Sequence, residues 1–302
     1  MTKKTLFSEF LLSIVTIIWG FAFIFQDIGM RYLTPITFSC IRCFVGSLFL
    51  IPITLLRYLS NKRKKDSNRK LYSKKELLGG LLAGLATALA MSFQQAGIRL
   101  EGAGKSGFIS SLYLIFVPII GFFFKKKTTF MVGIALVFAM TGLYFINKSE
   151  GAFEFGVGSI YLLISAIMYA IQILLIGRFS PECDSFSLSA IQFAVAFLVL
   201  IPTSFLMENS ITIEGLKGAI PSLLFCGIVS TGIAFTMQIY AQKHVNVVIA
   251  ALIMSLESVF SLIFSIFILD STYGVYEIIG CILIFIAVLI PQIPIKKKEK
   301  AM

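Results

Sequence analysis

The sequence predicts an all-α integral membrane protein: ten transmembrane helices, built as two inverted five-helix repeats with both termini cytoplasmic. Three observations carry this. Ten stretches of about 20 mostly apolar residues recur along the 302-residue chain, and a bilayer core of about 30 Å takes roughly 20 helical residues per crossing. A mean hydropathy of +0.93, with 58% hydrophobic and 14% charged residues, leaves little material for a water-soluble domain. The basic residues, finally, gather on one side of the predicted spans.

The first apolar run, 8–28, follows Lys3 and Lys4 as a signal peptide would. It continues through Trp19 and Phe25 with no small-residue cleavage site, so a retained helix is expected. The second, 36–57, carries Arg42 about two turns inside it. The third, 77–97, places Gly80 and Gly84 in a GxxxG, expected to serve close packing rather than dimerisation. The fourth, 105–124, contains Pro118 as a kink point, since freed backbone groups facing a cavity can be rewetted. Runs 129–146, 157–177, 186–206 and 217–240 follow on length and apolarity alone. The ninth, 247–268, has Glu257 at its middle, and 273–292 closes the set.

With a cytoplasmic N-terminus, the inner side carries Lys3, Lys4, nine basic residues of the 57–75 loop, Lys125, Lys126, Lys127, Arg178, Lys243, Lys296, Lys297, Lys298 and Lys300. The outer side holds only Arg31, Arg99, Lys105, Lys148 and Lys217. That is the positive-inside bias of a membrane protein. It accounts for the net charge of +11 without nucleic acid. The loop containing Lys62, Arg63, Lys64, Lys65, Arg69 and Lys70 reads as a topology determinant that contacts anionic lipid. Cys40, Cys43, Cys183, Cys226 and Cys281 are odd in number and scattered, with no metal or disulfide spacing.

A duplication underlies the pattern. SGFISSLYLIFVPIIGF (106–122) aligns with NVVIAALIMSLESVFSL (246–262), setting Ile109 against Ile249, Leu112 against Leu252 and Pro118 against Ser258. Each stretch follows a helix ending in polar side chains: Gln94 and Gln95, then Gln238, Tyr240 and Gln242. A unit of five crossings repeated in tandem must insert upside down the second time. Such inverted repeats typify secondary transporters, with the substrate site between the halves near the midplane.

WGFAFIFQDIG (19–29) and PITFSCIR (35–42) resemble the opening helices of the drug/metabolite transporter superfamily, in its EamA-type ten-helix branch. GAGKSGFISSLYLIFVPIIG (102–121) and AALIMSLESVFSLIFSIFIL (250–269) resemble the fourth helix of each repeat. The resemblance implies repeats at 1–147 and 153–293, followed by a basic tail at 294–302. It also implies a basket of helices around a central cavity that exports amino acids or other small metabolites. In one departure, Ser258 follows Glu257 where the family carries proline, so no proline kink is expected there.

Ionisable groups deep in a bilayer are expensive unless paired or solvated, and therefore informative. Two stand out here: Glu257, a protonatable or cation-pairing group, and Arg42, which could bind a carboxylate or make a structural pairing. Ser261 shares the face of Glu257, one turn on. Ser110 and Tyr113 lie on one face of the fourth helix, and Tyr169 and Gln172 on one face of the sixth. Trp19, Gln94, Gln95, Gln192 and Gln238 complete a polar and aromatic lining, although glutamines also bind helices together.

Several catalytic motifs fail. Gly104-Lys105-Ser106 lacks the glycine a phosphate loop needs at position 99, where Arg99 stands. As part of an intramembrane protease motif, Ser106 would need a histidine base, and the sole histidine, His244, is expected on the opposite membrane face. No cofactor or metal is expected. The sequence thus points to a multi-pass transporter of the prokaryotic plasma membrane, working by alternating access as a monomer or homodimer. Its partners are a small-molecule substrate, membrane lipids and, where a gradient drives it, protons. A membrane-embedded enzyme or lipid-handling protein is the alternative, and no catalytic constellation supports it.

Overall fold

A computed structural model describes residues 2–63, 71–123, 130–146, 156–208, 212–272 and 274–290. Lys64, Lys65, Arg69, Lys70, Lys125, Lys126, Lys127, Lys148 and the tail 294–302 lie outside the described residues. The chain forms α1 (Lys3–Gly29), α2 (Pro35–Arg63), α3 (Lys74–Ser110), α4 (Tyr113–Phe123), α5 (Phe130–Ile146) and α6 (Val157–Phe179). It continues as α7 (Ser185–Met207), α8 (Ile213–Leu224), α9 (Phe235–Ala241), α10 (Val247–Met254), α11 (Glu257–Leu269) and α12 (Val275–Leu289). Among the described residues seven helical segments are long and apolar enough to cross a membrane, and Tyr113–Phe123, Phe130–Gly142 and Ile278–Leu289 are shorter apolar helices.

Polar side chains start these helices where the pattern turns apolar. Thr2 accepts from Thr5 N at the head of α1. Ser73 and Glu76 form a reciprocal capping box on α3. Asp184 accepts from Phe186 N and Ser187 N on α7, and Asn246 accepts from Val248 N on α10. Gly102, at φ 75° and ψ 172°, divides α3 with a backbone conformation that suits glycine. After it the chain re-enters the bundle.

The packing is inside-out relative to a soluble protein. Phe122, Phe123, Phe130, Leu206 and Phe267 are each more than three-quarters exposed, while Gln95, Gln172, Gln192 and Gln238 are buried. Apolar surface facing outward and polar groups facing inward suit a lipid surround. Helix α3 packs along α6 and α7, α2 along α7, and α1 along α11, while α5 and α12 pair at the side. The GxxxG expectation resolves within the chain. A Cβ on Gly80 would lie 2.5 Å from Ile191 Cγ2, and one on Gly84 would lie 2.6 Å from the Gln192 carbonyl, so these glycines let α3 approach α7.

Two segments interrupt what would otherwise be long helices. Between α3 and α4 the backbone tightens to three-residue bonds (Leu112 N to Ile109 O, Leu114 N to Ser111 O, both 3.1 Å). The same happens between α10 and α11, where Leu256 N bonds Ile253 O at 3.1 Å and Ser258 N bonds Ser255 O at 3.2 Å. Proline was the expected cause, at Pro118 and not at Ser258. Instead Pro118 lies inside α4, and serines flank both breaks. Ser111 Oγ donates to Gly107 O, Ser255 Oγ to Leu252 O and Ser258 Oγ to Ser255 O. Hydroxyls that bond back to helical carbonyls compete with the regular ladder. Glu257 is therefore not mid-helix: it is the first residue of α11.

A third irregularity is a π-helical stretch, Phe225–Ala234, between α8 and α9. The wide turn shifts the register of everything after it.

Candidate functional site

Helices α1, α2, α3, α4, α6, α9 and α11, with the π-helical stretch, line a narrow, partly open cavity, about 30 Å³ in its interior and about 400 Å³ with the gaps around it and the open space at its mouth counted. One wall holds Arg42, 3% exposed. Its Nε donates to Thr231 Oγ1 at 2.8 Å, Nη1 to Gln26 Oε1 at 2.8 Å and Nη2 to Ser230 Oγ at 2.9 Å. Gln26 is itself oriented by donating from Nε2 to Ala22 O. The π-helical turn presents Ser230 and Thr231 together to this guanidinium. All three acceptors are neutral, so the cation is held in place and not neutralised, and part of its planar N–H fork stays available.

Glu257 lines the same cavity. It stands at the N-terminus of α11, where the helix dipole favours an anion. Ser111 Oγ donates to its Oε1 over a long 3.5 Å. The Tyr113 hydroxyl faces the carboxyl group but completes no well-formed hydrogen bond. Among the described residues neither Arg42 nor Glu257 forms an ion pair.

Amides and rings line the rest of the cavity. Tyr169, within Coulombic reach of both Arg42 and Glu257, donates its hydroxyl to Gln94 Oε1 at 3.0 Å. Gln94 Nε2 donates to Ser110 Oγ at 3.3 Å. Gln238 Nε2 donates to Gln172 Oε1 at 3.4 Å. Trp19 packs on Phe235 with ring centroids 4.8 Å apart and donates Nε1 to Ser230 O at 3.4 Å.

Of the residues singled out from the sequence, Trp19, Arg42, Gln94, Tyr113, Tyr169, Gln172, Gln238 and Glu257 meet at this cavity. Four do not line it. Ser110 reaches it only through Gln94. Gln95 turns toward α1 and donates to Gln26 O at 3.4 Å. Gln192 is fully buried, with neither amide atom bonded among the described residues. Ser261 donates to Ala103 O at 3.0 Å and fills a notch beside Gly107, whose Cβ would lie 2.7 Å from Ser261 Oγ. Sequence reasoning missed Gln26 and Ser230. Gln26 was findable, because Trp19, Phe23 and Gln26 fall on one helical face. Ser230 was not, because its direction depends on the π-helical register.

Lys105, from the phosphate-loop-like triplet, pairs with Glu101 at 2.6 Å, and Glu101 accepts from Ser159 at 2.8 Å. His244 stacks edge-on against Tyr240 and lies beside Thr5, at the N-terminal end of α1. The stretch containing Ser106 packs near the far half of that helix, through Ala103 and Gly107.

The model of the EamA-like transporter family matches residues 6–148 and again 156–291. An uncharacterized transporter of Archaeoglobus fulgidus is 27% identical over 288 residues, covering 95% of this chain and 86% of its own length. The uncharacterized transporter YoaV of Bacillus subtilis (strain 168) is 26% identical over 277 residues, covering 89% of this chain and 91% of its own. A crystal structure with 15% sequence identity superposes at a TM-score of 0.73 over 96% of this chain and 97% of that one, a likeness of fold.

Proposed function

The chain belongs to the EamA-like transporter family of the drug/metabolite transporter superfamily, and from that premise we propose that it carries a small zwitterionic metabolite of amino-acid type. The observation behind this is one cavity lined by a fixed guanidinium and a carboxyl group, Arg42 and Glu257, with no ion pair to either among the described residues. Charges buried in a bilayer are costly alone. A ligand bearing a carboxylate and an ammonium supplies the counter-charge to each, and the aromatic belt with Trp19 and Tyr169 flanks the rest of it.

The carrier works in a prokaryotic plasma membrane, in the exporting direction, by alternating access. Ten crossings follow if residues 103–123 span once despite the break at 111–112, and α5 and α12 span as well. Helix directions then alternate consistently. Arg57 meets Asp184, Lys75 meets Glu182 and Thr5 meets His244 at one end, while Glu208 meets Thr37 at the other. The basic residues Lys3, Lys4, Arg57, Lys74, Lys75, Arg178 and Lys243 share the first end, which is the cytoplasmic one by the positive-inside rule. An inverted repeat is supported by the sequence Leu-Ile-Pro, which stands at 50–52 and again at 200–202. In addition, every buried position of 33–54 except Ser47 recurs as buried 150 residues later. Glu257 is the group through which a proton gradient is coupled.

Reconstituted proteoliposomes test this with a panel of amino acids, with and without an imposed pH gradient. Wild type is expected to give gradient-driven flux, and Glu257→Gln to lose the gradient dependence. Flux unchanged in Glu257→Gln removes the coupling role. No flux of any zwitterion by wild type removes the substrate class.

A further inference from the structure

Gln172 on α6 and Gln238 on α9 are 1% and 0% exposed, and both line the cavity. They share one hydrogen bond, Gln238 Nε2 to Gln172 Oε1. The other half of each amide, Gln172 Nε2 and Gln238 Oε1, finds no partner among the described residues. Turning both amides over leaves the same balance, one N–H donor and one carbonyl acceptor. Buried amide groups in a folded protein are almost always bonded, and a pair left half-bonded at a cavity wall calls for an explanation. Helix gluing, the ordinary role of such glutamines, uses only the one bond they share.

We propose that Gln172 and Gln238 form a specificity subsite for a primary carboxamide, so that the transported zwitterion is one with an amide side chain, of the glutamine kind. This rests on the zwitterion reading of the same cavity. A carboxamide carries a donor and an acceptor on one carbon, so its carbonyl takes the free Gln172 N–H and its N–H meets the free Gln238 carbonyl. An apolar side chain of equal length, such as that of methionine, would leave both groups unbonded. A site built to bond a polar group discriminates strongly against an analogue that lacks it. Ile173 and Phe235 border the two amides on the same helices.

The protein carries its own reporter. Trp19 is the only tryptophan in the chain and packs on Phe235, one turn before Gln238. Fluorescence titrations of wild type in lipid nanodiscs should use glutamine, methionine and the uncharged amide propionamide. Glutamine is expected to act at a concentration about tenfold or more below methionine. Gln172→Met and Gln238→Met should each erase that preference while keeping the methionine response, which shows that the variants are folded. Equal responses of wild type to glutamine and methionine, or a preference that survives both substitutions, overturn the subsite. A propionamide response that is lost in both variants, each melting in detergent as wild type does, with no response to any amino acid, keeps the subsite and rejects the zwitterion reading. Silence toward both glutamine and propionamide overturns the subsite itself.

Discussion

The two halves of the chain use one set of positions for different chemistry. In the first half, α2 carries Arg42, bonded by Gln26, Ser230 and Thr231. The position 150 residues later, on α7, is Gln192, equally buried, with neither amide atom bonded among the described residues. After the helix break the roles reverse: the second half opens α11 with Glu257, and the first half opens α4 with Tyr113. Each half thus supplies one charge where the other has a neutral hydrogen-bonding group. The cavity is lined by a guanidinium from the first half and a carboxyl group from the second. The difference teaches that position along the chain sets where polar groups go, while the identity of each residue sets which chemistry it offers the cavity.

Making the halves alike should hurt most. Arg42→Gln gives α2 the residue of α7 and leaves Gln26, Ser230 and Thr231 without their donor. Losing one side of a desolvated charge contact costs about 2–5 kcal/mol, so the substrate concentration for half-maximal proteoliposome flux should rise on the order of 100-fold. The control is Gln192→Leu, which touches no cavity wall. It should leave flux unchanged and melting in detergent equal or slightly higher, since it removes two unbonded buried polar atoms.

A second correspondence concerns stability. Glu208, at the end of α7, accepts from Ile36 N at 3.0 Å and Thr37 N at 2.8 Å, and so caps α2 in the other half. Glu76, at the start of α3, accepts from Asp184 N at 2.8 Å and so ties down the approach to α7. Each half provides a carboxylate for a helix start in the other. Glu208→Ala and Glu76→Ala should each cost about 1–2 kcal/mol, read as a lowered melting temperature in detergent, with additive effects in the double variant. A loss confined to one of the two would break the correspondence.

The smallest effect belongs to Lys243, in the turn before α10. Burial pushes its ammonium below its ordinary value near 10.5, while Nζ donates to Cys183 O at 2.6 Å. The folded state then holds this proton less tightly than the unfolded chain, so the contribution of Lys243 to stability rises with pH in the interval below 10.5. As the pH is raised toward about 10.5, wild type should gain about 1–2 °C in melting temperature relative to Lys243→Gln.

Much of this was legible in the chain, because apolar length and buried polar residues are local signals. Trp19, Arg42, Gln94, Tyr113, Tyr169, Gln172, Gln238 and Glu257 could be picked out one by one and do share a cavity. The alignment of 106–122 with 246–262 and the two helix breaks differ by about one helical turn. The alignment used a spacing of 140 residues, whereas the breaks at Ser111 and Ser255 lie 144 apart. A four-residue slip keeps a helix face nearly in place, so the apolar pattern looked the same either way. The proline at 118 drew attention from the serines that accompany the breaks, because backbone competition by hydroxyls leaves no mark on hydropathy. Gln95, Gln192 and Ser261 show the limit of reading by residue type: each is polar and deep, and each faces a neighbouring helix rather than the cavity.

The π-helical stretch at Phe225–Ala234 also acts as a dial. An α-helical residue turns the chain by about 100°, so a wheel drawn through 213–241 as one uniform helix misjudges every direction beyond residue 225. Removing a single residue from that stretch, and so restoring ordinary winding, would leave Gln238 facing Gln172, because the wide turn absorbs the extra residue, but would withdraw Ser230 and Thr231, inside the stretch, from Arg42. Insertions and deletions here are therefore coarse adjustments of what the cavity presents. Among relatives of this chain, a one-residue length difference between 225 and 234 would signal a differently furnished wall more reliably than any substitution nearby.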